Sequence, residues 1–535
     1  MMAFDTSRRV ITGTVTLSVL AACFSTIAAD DSVSLNLRLR TRAAVSPESG
    51  QYRAVSKTAA WKASETAIVI CDMWNNHYCR NAARRVAEMA PRMNEVVKRA
   101  RQQGVLIIHS PSGCMDQYAD TPQRKLAQQA PRVETKIPLQ GWCYLDDKHE
   151  TAMPVSVEQP CDDDGAIRPR VRFFQRQIDT LEIADGDAIT DSAEAFYLMK
   201  QRGIRNIIIM GVHTNMCVLG RPFGIRQMIY QGQNVALMRD MTDTMYNPRD
   251  EPFVNHFTGN DLVFEHIERF WCPTITSADI LGDKPFRFPG DRRKHVVVVM
   301  AEDGYDTSRT LPSFAVKHLG PDFKVSFVFA NSANRNDIPG IEILDDADLA
   351  IWSIRRRTLP QKQLDVFQQF IAAGKPLVAI RTSSHGFSLS KGSPPAGLVA
   401  WPEFDQQVLG GNYNGDHNNK SGVLVTAAEG VSGHPILTGV RTDKFTAAAS
   451  LYKTSPLADT VAPLLIGRAD GVEQSEPVAW THQRPNGGRV FYTSLGHRDD
   501  FSHKDFQLLL RNAIYWAASL PVPETATEVA AGSGC

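Results

Sequence analysis

Short apolar runs alternate along this chain with longer amphipathic stretches that end in glycine. Thr66–Ile70, Val105–Ile108, Asn206–Met210 and Val235–Met238 are the runs in the first half. Runs of that length suit strands covered on both faces. Asn81 to Gln103 carries helical apolar spacing and stops at Gly104, and a second helix is expected from about Asn215 to Gln231, stopped by Gly232. Strand–helix–strand succession predicts a mainly parallel sheet with helices on both faces. The rhythm breaks at GDKPFRFPGDRRK (282–294), whose Gly, Pro and charge read as a linker. It restarts at Val296–Met300, with strands near Val325–Ala330, Leu349–Ile354, Leu377–Ile380 and Val490–Thr493 and a closing helix Phe506–Ala518. The expected class is therefore α/β: two three-layer α/β/α domains at 61–285 and 295–520. A polar, aperiodic leader at 30–60, a linker at 286–294 and a tail at 521–535 complete the division.

Lys+Arg and Asp+Glu are 58 each. This balance gives no electrostatic footprint for nucleic acid. Residues 1–29 read as an export signal: Arg8 and Arg9 form a basic start, and Val10–Leu20 is too short to span a membrane. Leu20-Ala21-Ala22-Cys23 resembles a bacterial lipoprotein box with Cys23 as the lipid anchor, while Ile27-Ala28-Ala29 offers an ordinary cleavage site. The location expected is exported: periplasmic, or membrane-anchored as a lipoprotein. Of nine cysteines, seven lie between Cys71 and Cys272 and none between 273 and 534, which separates the two units chemically. Cys143 and Cys161 are candidates for pairing if the chain meets oxidising conditions.

Asp72 follows the first strand, where open parallel sheets place their ligands. Cys217 follows the strand ending at Met210 and opens a helix. Helix N-terminal amides stabilise a thiolate and can bind an oxyanion. Cys217 is thus a candidate nucleophile with Asp72 as base; a small buried thiol and a capping carboxylate are the bland alternatives.

Those residues lie in two motifs. ICDMWNNHY (Ile70–Tyr78) resembles the D-M-Q-N-D-F signature of the isochorismatase-like cysteine hydrolases, which include nicotinamidases and N-carbamoylsarcosine amidases. GVHTNMCV (Gly211–Val218) resembles their G-x-x-T-x-x-C-V turn, and DMTD (Asp240–Asp243) the segment after the next strand. The resemblance covers about 61–282. It implies that Asp72 takes the Cys217 proton, that the thiolate attacks an amide-like carbonyl, and that the amides of His213 and Cys217 form the oxyanion hole. It also implies a cis Val212–His213 bond. The family's third member is a Lys; here Arg172, Gln175 and Arg176 stand at that distance, and Arg176 is the candidate, able to hold charge but not to shuttle a proton. Trp74, Asn75, Asn215 and Tyr246 are candidate substrate contacts, with Arg221 and Arg226 near the pocket mouth. His109 and Asp116 do not compose the nicotinamidase metal cluster, so no metal and no cofactor is expected.

In the second unit, EDGYD (Glu302–Asp306), TLPSF (Thr310–Phe314), WPEF (Trp401–Phe404), VLGG (Val408–Gly411), HPI (His434–Ile436) and GRVFYTSLGH (Gly488–His497) resemble the ThuA-like domain, named for trehalose utilisation. That resemblance implies a flavodoxin-like fold related to class I glutamine amidotransferases, without their cysteine. Pocket candidates are Glu302, Arg381, His385, His417 and His497, together with Ser384 and His434. The reading is an exported hydrolase of a C–N bond in an amide or carbamoyl small molecule, with a sugar as ligand of the second unit. A non-catalytic carbohydrate-binding or surface protein is the alternative, as is sugar processing by the second unit. A small-molecule substrate, a sugar and a lipid at Cys23 are the expected partners; a second copy of the chain is left open.

Overall fold

The computed structural model describes residues 33–163, 173–320, 322–443 and 445–524. The signal-like segment with Cys23, Arg172 and the end of the tail with Cys535 lie outside the described residues. The two α/β units expected from the alternation are present, each built on its own sheet.

The first sheet holds β1 (Ser34–Ala44), β2 (Tyr52–Lys62), β3 (Thr66–Cys71), β4 (Leu106–Ser110), β5 (Ala188–Ile189), β6 (Asn206–Val212), β7 (Asn234–Asp243) and β8 (Thr274–Ile275). Their order is β2-β1-β8-β7-β6-β3-β4-β5, and β3 to β8 pair in parallel. Every residue of β3 and β6 is buried. Alternate side chains serve opposite faces: Ile68, Ile70, Ile208 and Met210 pack with Met89, Met93 and Val97 of the helix Arg80–Gln102, while Val69, Ile207 and Ile209 pack with Phe196, Phe223 and Met228.

Two expectations are corrected here. Residues 30–60 are not an aperiodic leader: from Ser34 they form the β1–β2 hairpin, which joins β8 through Arg40 and Thr274. Leu35, Leu37 and Leu39 are buried and alternate with exposed Ser34, Asn36 and Arg38, a period of two that the polar composition hides. The helix expected over 215–231 is two short helices, Cys217–Gly220 and Ile225–Tyr230. Arg221 between them is extended, at φ −65° and ψ 161°, because Pro222 bars the residue before it from helical geometry.

The segment 286–294 is docked rather than loose. Phe288 joins the first core and stacks on Phe257, with ring centres 5.6 Å apart, and the Phe286 amide donates to Asp240.

The second sheet holds β9 (Lys294–Ala301), β10 (Phe323–Phe329), β11 (Leu349–Ile354), β12 (Leu377–Ile380), β13 (Val423–Ala427), β14 (Phe445–Ala447), β15 (Val461–Arg468), β16 (Glu476–Gln483) and β17 (Arg489–Thr493). The order is β10-β9-β11-β12-β17-β16-β15-β13-β14. The first five in that order are parallel; β16, β15, β13 and β14 extend the sheet antiparallel. The chain leaves β9 toward β10 on one side and returns to β11 on the other. Such a reversal opens a crevice at the carboxyl ends of the strands. Asp261 ties the units together, pairing with Arg293 and Lys324 at 3.1 Å each. Among the described residues no helix is long and apolar enough to cross a membrane.

Candidate functional site

In the first unit the carboxyl ends of β3 and β6 lie side by side, with Cys71 opposite Gly211. A Cβ on Gly211 would stand 2.0 Å from the Cys71 carbonyl oxygen, so this approach requires glycine. The next residue after β3 is Asp72. It is fully buried and left-handed, at φ 49°, a conformation costly for a residue with a Cβ. Its Oδ1 accepts the Ser112 amide at 2.8 Å, while its Oδ2 is buried with no hydrogen-bond donor.

That oxygen lies 3.9 Å from Nε of Arg221. Burial pushes the Asp72 carboxyl above its ordinary range; Arg221 and hydrogen bonding toward Cys217 and Ser112 pull it back. Burial works against the Arg221 charge, but Asp72 and the thiols of Cys217 and Cys71 hold its pKa above the ordinary value. Asp72, Cys217 and Arg221 therefore form one electrostatic unit. Arg221, not Arg176, is the basic member. Arg176 is at the surface, paired at 2.7 Å with Asp179, which lies only three residues along the chain.

Arg221 reaches Asp72 because the helix opened by Cys217 ends after one turn, where the Arg221 amide donates to the Cys217 carbonyl at 3.1 Å. Its guanidinium lies over Trp142, 5.6 Å from the ring centre. Neither Trp142 nor the pairing of Arg221 was read from the sequence; the Gly220-Arg221-Pro222-Phe223-Gly224 breakers are the signal that could have shown the turn.

The bond Val212–His213 is cis. The amides of His213 and Cys217 donate to no protein acceptor among the described residues, whereas the Thr214 amide is held by the Asp243 carbonyl at 2.9 Å. Two free amides beside the thiol are the parts of an oxyanion hole. A helix of one turn offers little macrodipole, so at this turn the free amides are the available donors.

Aromatic rings form the surroundings. Trp74 stacks on Phe174 at 4.1 Å and gives its indole N–H to the Ser112 carbonyl. His77 touches Tyr78 and His213. Burial, then the neighbouring imidazole, holds His77 down at about 3, and burial holds His213 at about 4, so both are neutral at pH 7.

The other expected contacts are redistributed. Asn75 holds the 175–176 segment, bonding to the Gln175 side chain and the Arg176 amide. Asn215 clamps Met245, bonding to its amide and carbonyl at 3.0 Å each. Tyr246 is fully buried with its hydroxyl on the Asp250 carbonyl. Asn215 and Tyr246 thus brace the loop after β7 rather than face a substrate. Arg226 is paired with Glu150 at 2.7 Å. Cys143 and Cys161 are both free. Cys161 instead approaches Cys79, and with Asp163 these offer ligand atoms within 4.8 Å of one another, a spacing that could admit a metal. Both Asp163 oxygens already cap the helix amides of Arg80 and Asn81.

In the second unit, Tyr305, Arg381, His385 and His497 gather at the carboxyl ends of β9, β12 and β17. Glu302 is near them but closes its own loop, accepting the amides of Gly304, Tyr305 and Thr307. His417 is paired with Glu476 at 3.0 Å. Ser384 bonds to His385 at 3.2 Å, and His434 caps the Ile436 amide. A separate cleft of about 610 Å³ lies between the units, lined by residues such as Arg239, Asp240, Lys324 and Asp346, and includes neither Cys217 nor Arg381.

The ThuA family model, described as trehalose utilisation, matches residues 295–517. No curated protein matches the chain. Among solved structures, a cysteine hydrolase from Pseudomonas syringae pv. phaseolicola 1448A is similar at 16% identity, over 42% of this chain and 93% of that one, with a TM-score of 0.28. An isochorismatase family protein from Burkholderia thailandensis is similar at 14% identity, over 41% and 95%, with a TM-score of 0.24. A ThuA-like protein from Parabacteroides merdae ATCC 43184 is similar at 17% identity, over 44% and 93%, with a TM-score of 0.32.

Proposed function

We propose that the first unit hydrolyses a C–N bond of an amide or carbamoyl small molecule through a Cys217 thioester. One observation carries the reading: the fully buried Asp72 carboxylate, whose Oδ2 lies 3.9 Å from Nε of Arg221, also meets the Cys217 thiol. Asp72 accepts the thiol proton, and the sulfur attacks the carbonyl carbon. The amides of His213 and Cys217 stabilise the oxyanion. Collapse breaks the C–N bond, and Asp72 returns the proton to the departing nitrogen. Water, deprotonated by Asp72, then attacks the thioester; the acid leaves and the thiol is restored. Arg221 stays protonated throughout and steadies the thiolate and carboxylate as a fixed charge.

The reading includes a carbohydrate ligand on the second unit and export of the chain. Lipidation at Cys23 and cleavage after Ala29 are the two outcomes to separate by N-terminal mass spectrometry. The activity is tested by ammonia or amine release from a panel of primary amides and carbamoyl compounds, together with mass detection of an acyl adduct on Cys217. Release that survives Cys217→Ser, or an absence of turnover and adduct across the panel, contradicts the reading.

A further inference from the structure

We propose that the carboxyl ends of β9, β11, β12 and β17 bind a polyhydroxylated ligand that carries an anionic group, a carboxylate or a phosphate. The proposal rests on the carbohydrate part of the reading above and adds the ligand's charge class. Three observations converge on it.

First, β9 and β11 flank the point where the strand order reverses, the station at which open parallel sheets receive ligands. Second, Arg381, the residue after β12, is 2% exposed and has no carboxylate partner among the described residues. Its backbone is left-handed at φ 43°, and its guanidinium lies over the rings of Tyr305 and Tyr452, at 4.4 and 4.5 Å from their centres. Nη1 donates to the Ser494 carbonyl at 2.6 Å and Nη2 to the Tyr305 hydroxyl at 3.2 Å, while Nε is buried without an acceptor. Third, Arg355 and Arg356, just beyond β11, have no carboxylate partner among the described residues either. Together with Arg381 they surround His385, whose imidazole burial and these three charges hold at about 3.

The acids nearby are already occupied. Glu302 binds three loop amides, Asp303 pairs with Arg335 and Arg357, and Asp499 pairs with His497. Asp416 caps the Asn418 amide. Asp405 lies deeper, accepting the Tyr413 amide, and burial pushes its carboxyl up to about 7. A buried cation without a counter-charge is costly. Arg381 is therefore a buried guanidinium in want of an anion, and the half-exposed Arg355 and Arg356 add positive charge around His385. The rest of its wall is neutral and hydrogen-bonding: Tyr305, Tyr452, Ser384 and His385, the last stacked on Tyr413 at 4.2 Å. Aromatic faces and neutral polar groups suit a sugar ring, and the guanidinia suit its acidic substituent.

Isothermal titration of the full chain tests this with glucuronate, glucose 6-phosphate, glucose, acetate and inorganic phosphate as probes. Glucuronate or glucose 6-phosphate is expected to bind at least about tenfold tighter than glucose and than either small anion, since a charge-assisted contact contributes that much. Which of the two binds identifies carboxylate or phosphate. Arg381→Gln should weaken that binding about tenfold or more. Arg356→Gln, at a half-buried position, gives the same test if the first variant fails to fold, as judged by circular dichroism. Glucose binding as tightly as its charged counterparts would overturn the charge class and leave the carbohydrate reading standing. Equal binding of the small anions would overturn the sugar, and silence of all five probes would overturn both.

Discussion

Asp72 and Arg381 occupy the same station in the two units. Each is the first residue beyond a fully buried parallel strand, each is left-handed, and each keeps one buried polar atom without a partner. What surrounds them differs. Asp72 meets a thiol and a guanidinium, so its charge is balanced and its proton can move. Arg381 meets tyrosine faces and further guanidinia, so its charge is unbalanced and fixed. On the proposed readings, one strand end serves chemistry and the other holds an anion. The same architecture gives either result because the residues after the strands, not the strands, decide it.

The largest effect that could break this contrast comes from the reacting pair. Cys217→Ser should abolish turnover, and Asp72→Asn should lower it by about 10²–10⁴-fold in steady-state assays. Neither should alter probe binding by the second unit. Next, Gly211→Ala should cost about 3 kcal/mol in denaturant unfolding, because the added Cβ meets the Cys71 carbonyl and the backbone there is left-handed. Asp405→Asn tests the second unit's burial. The Asp405 carboxyl is raised from 3.8 to about 7, so the folded chain keeps a proton that the unfolded chain releases in that window. Its contribution is complete below pH 3.8 and lost as pH rises toward 7. The variant should be more stable than the parent at pH 8, by on the order of 2 kcal/mol, with the gain gone near pH 3.5. Smallest, Arg221→Gln should slow turnover about tenfold. Since Arg221 lowers the Asp72 pKa, its loss should move the acid limb of the pH–rate profile upward.

Much of the first site was legible because its chemistry is local. The turn around Cys217 and the strand end at Asp72 are continuous segments, and the cis bond at Val212–His213 falls within one of them. Arg221 was visible as a residue near the pocket but not as the partner of Asp72. Its position depends on a helix ending after one turn, and an apolar pattern read through Gly220 and Pro222 conceals that end. Distance along the chain points to Arg176 but says nothing of the Asp179 carboxylate three residues on. In the hairpin, Leu35, Leu37 and Leu39 carry the strand signal, but the polar residues between them mask it. The second unit's antiparallel extension is less legible, since β13 and β15 are partly exposed and loops separate its strands.

The central claim is that the first unit assembles a reactive thiol at Cys217. Time-resolved alkylation of the intact native protein with iodoacetamide, mapped by peptide mass spectrometry, tests it most directly. Cys143, Cys161 and Cys217 are all partly exposed, whereas Cys71, Cys79, Cys114 and Cys272 are buried, so exposure alone does not single out Cys217. The account predicts that Cys217 is modified first, at least about tenfold faster than Cys143 or Cys161, and that Asp72→Asn removes this advantage. Modification of Cys217 at the same rate as Cys143 and Cys161, unchanged in Asp72→Asn, would contradict it.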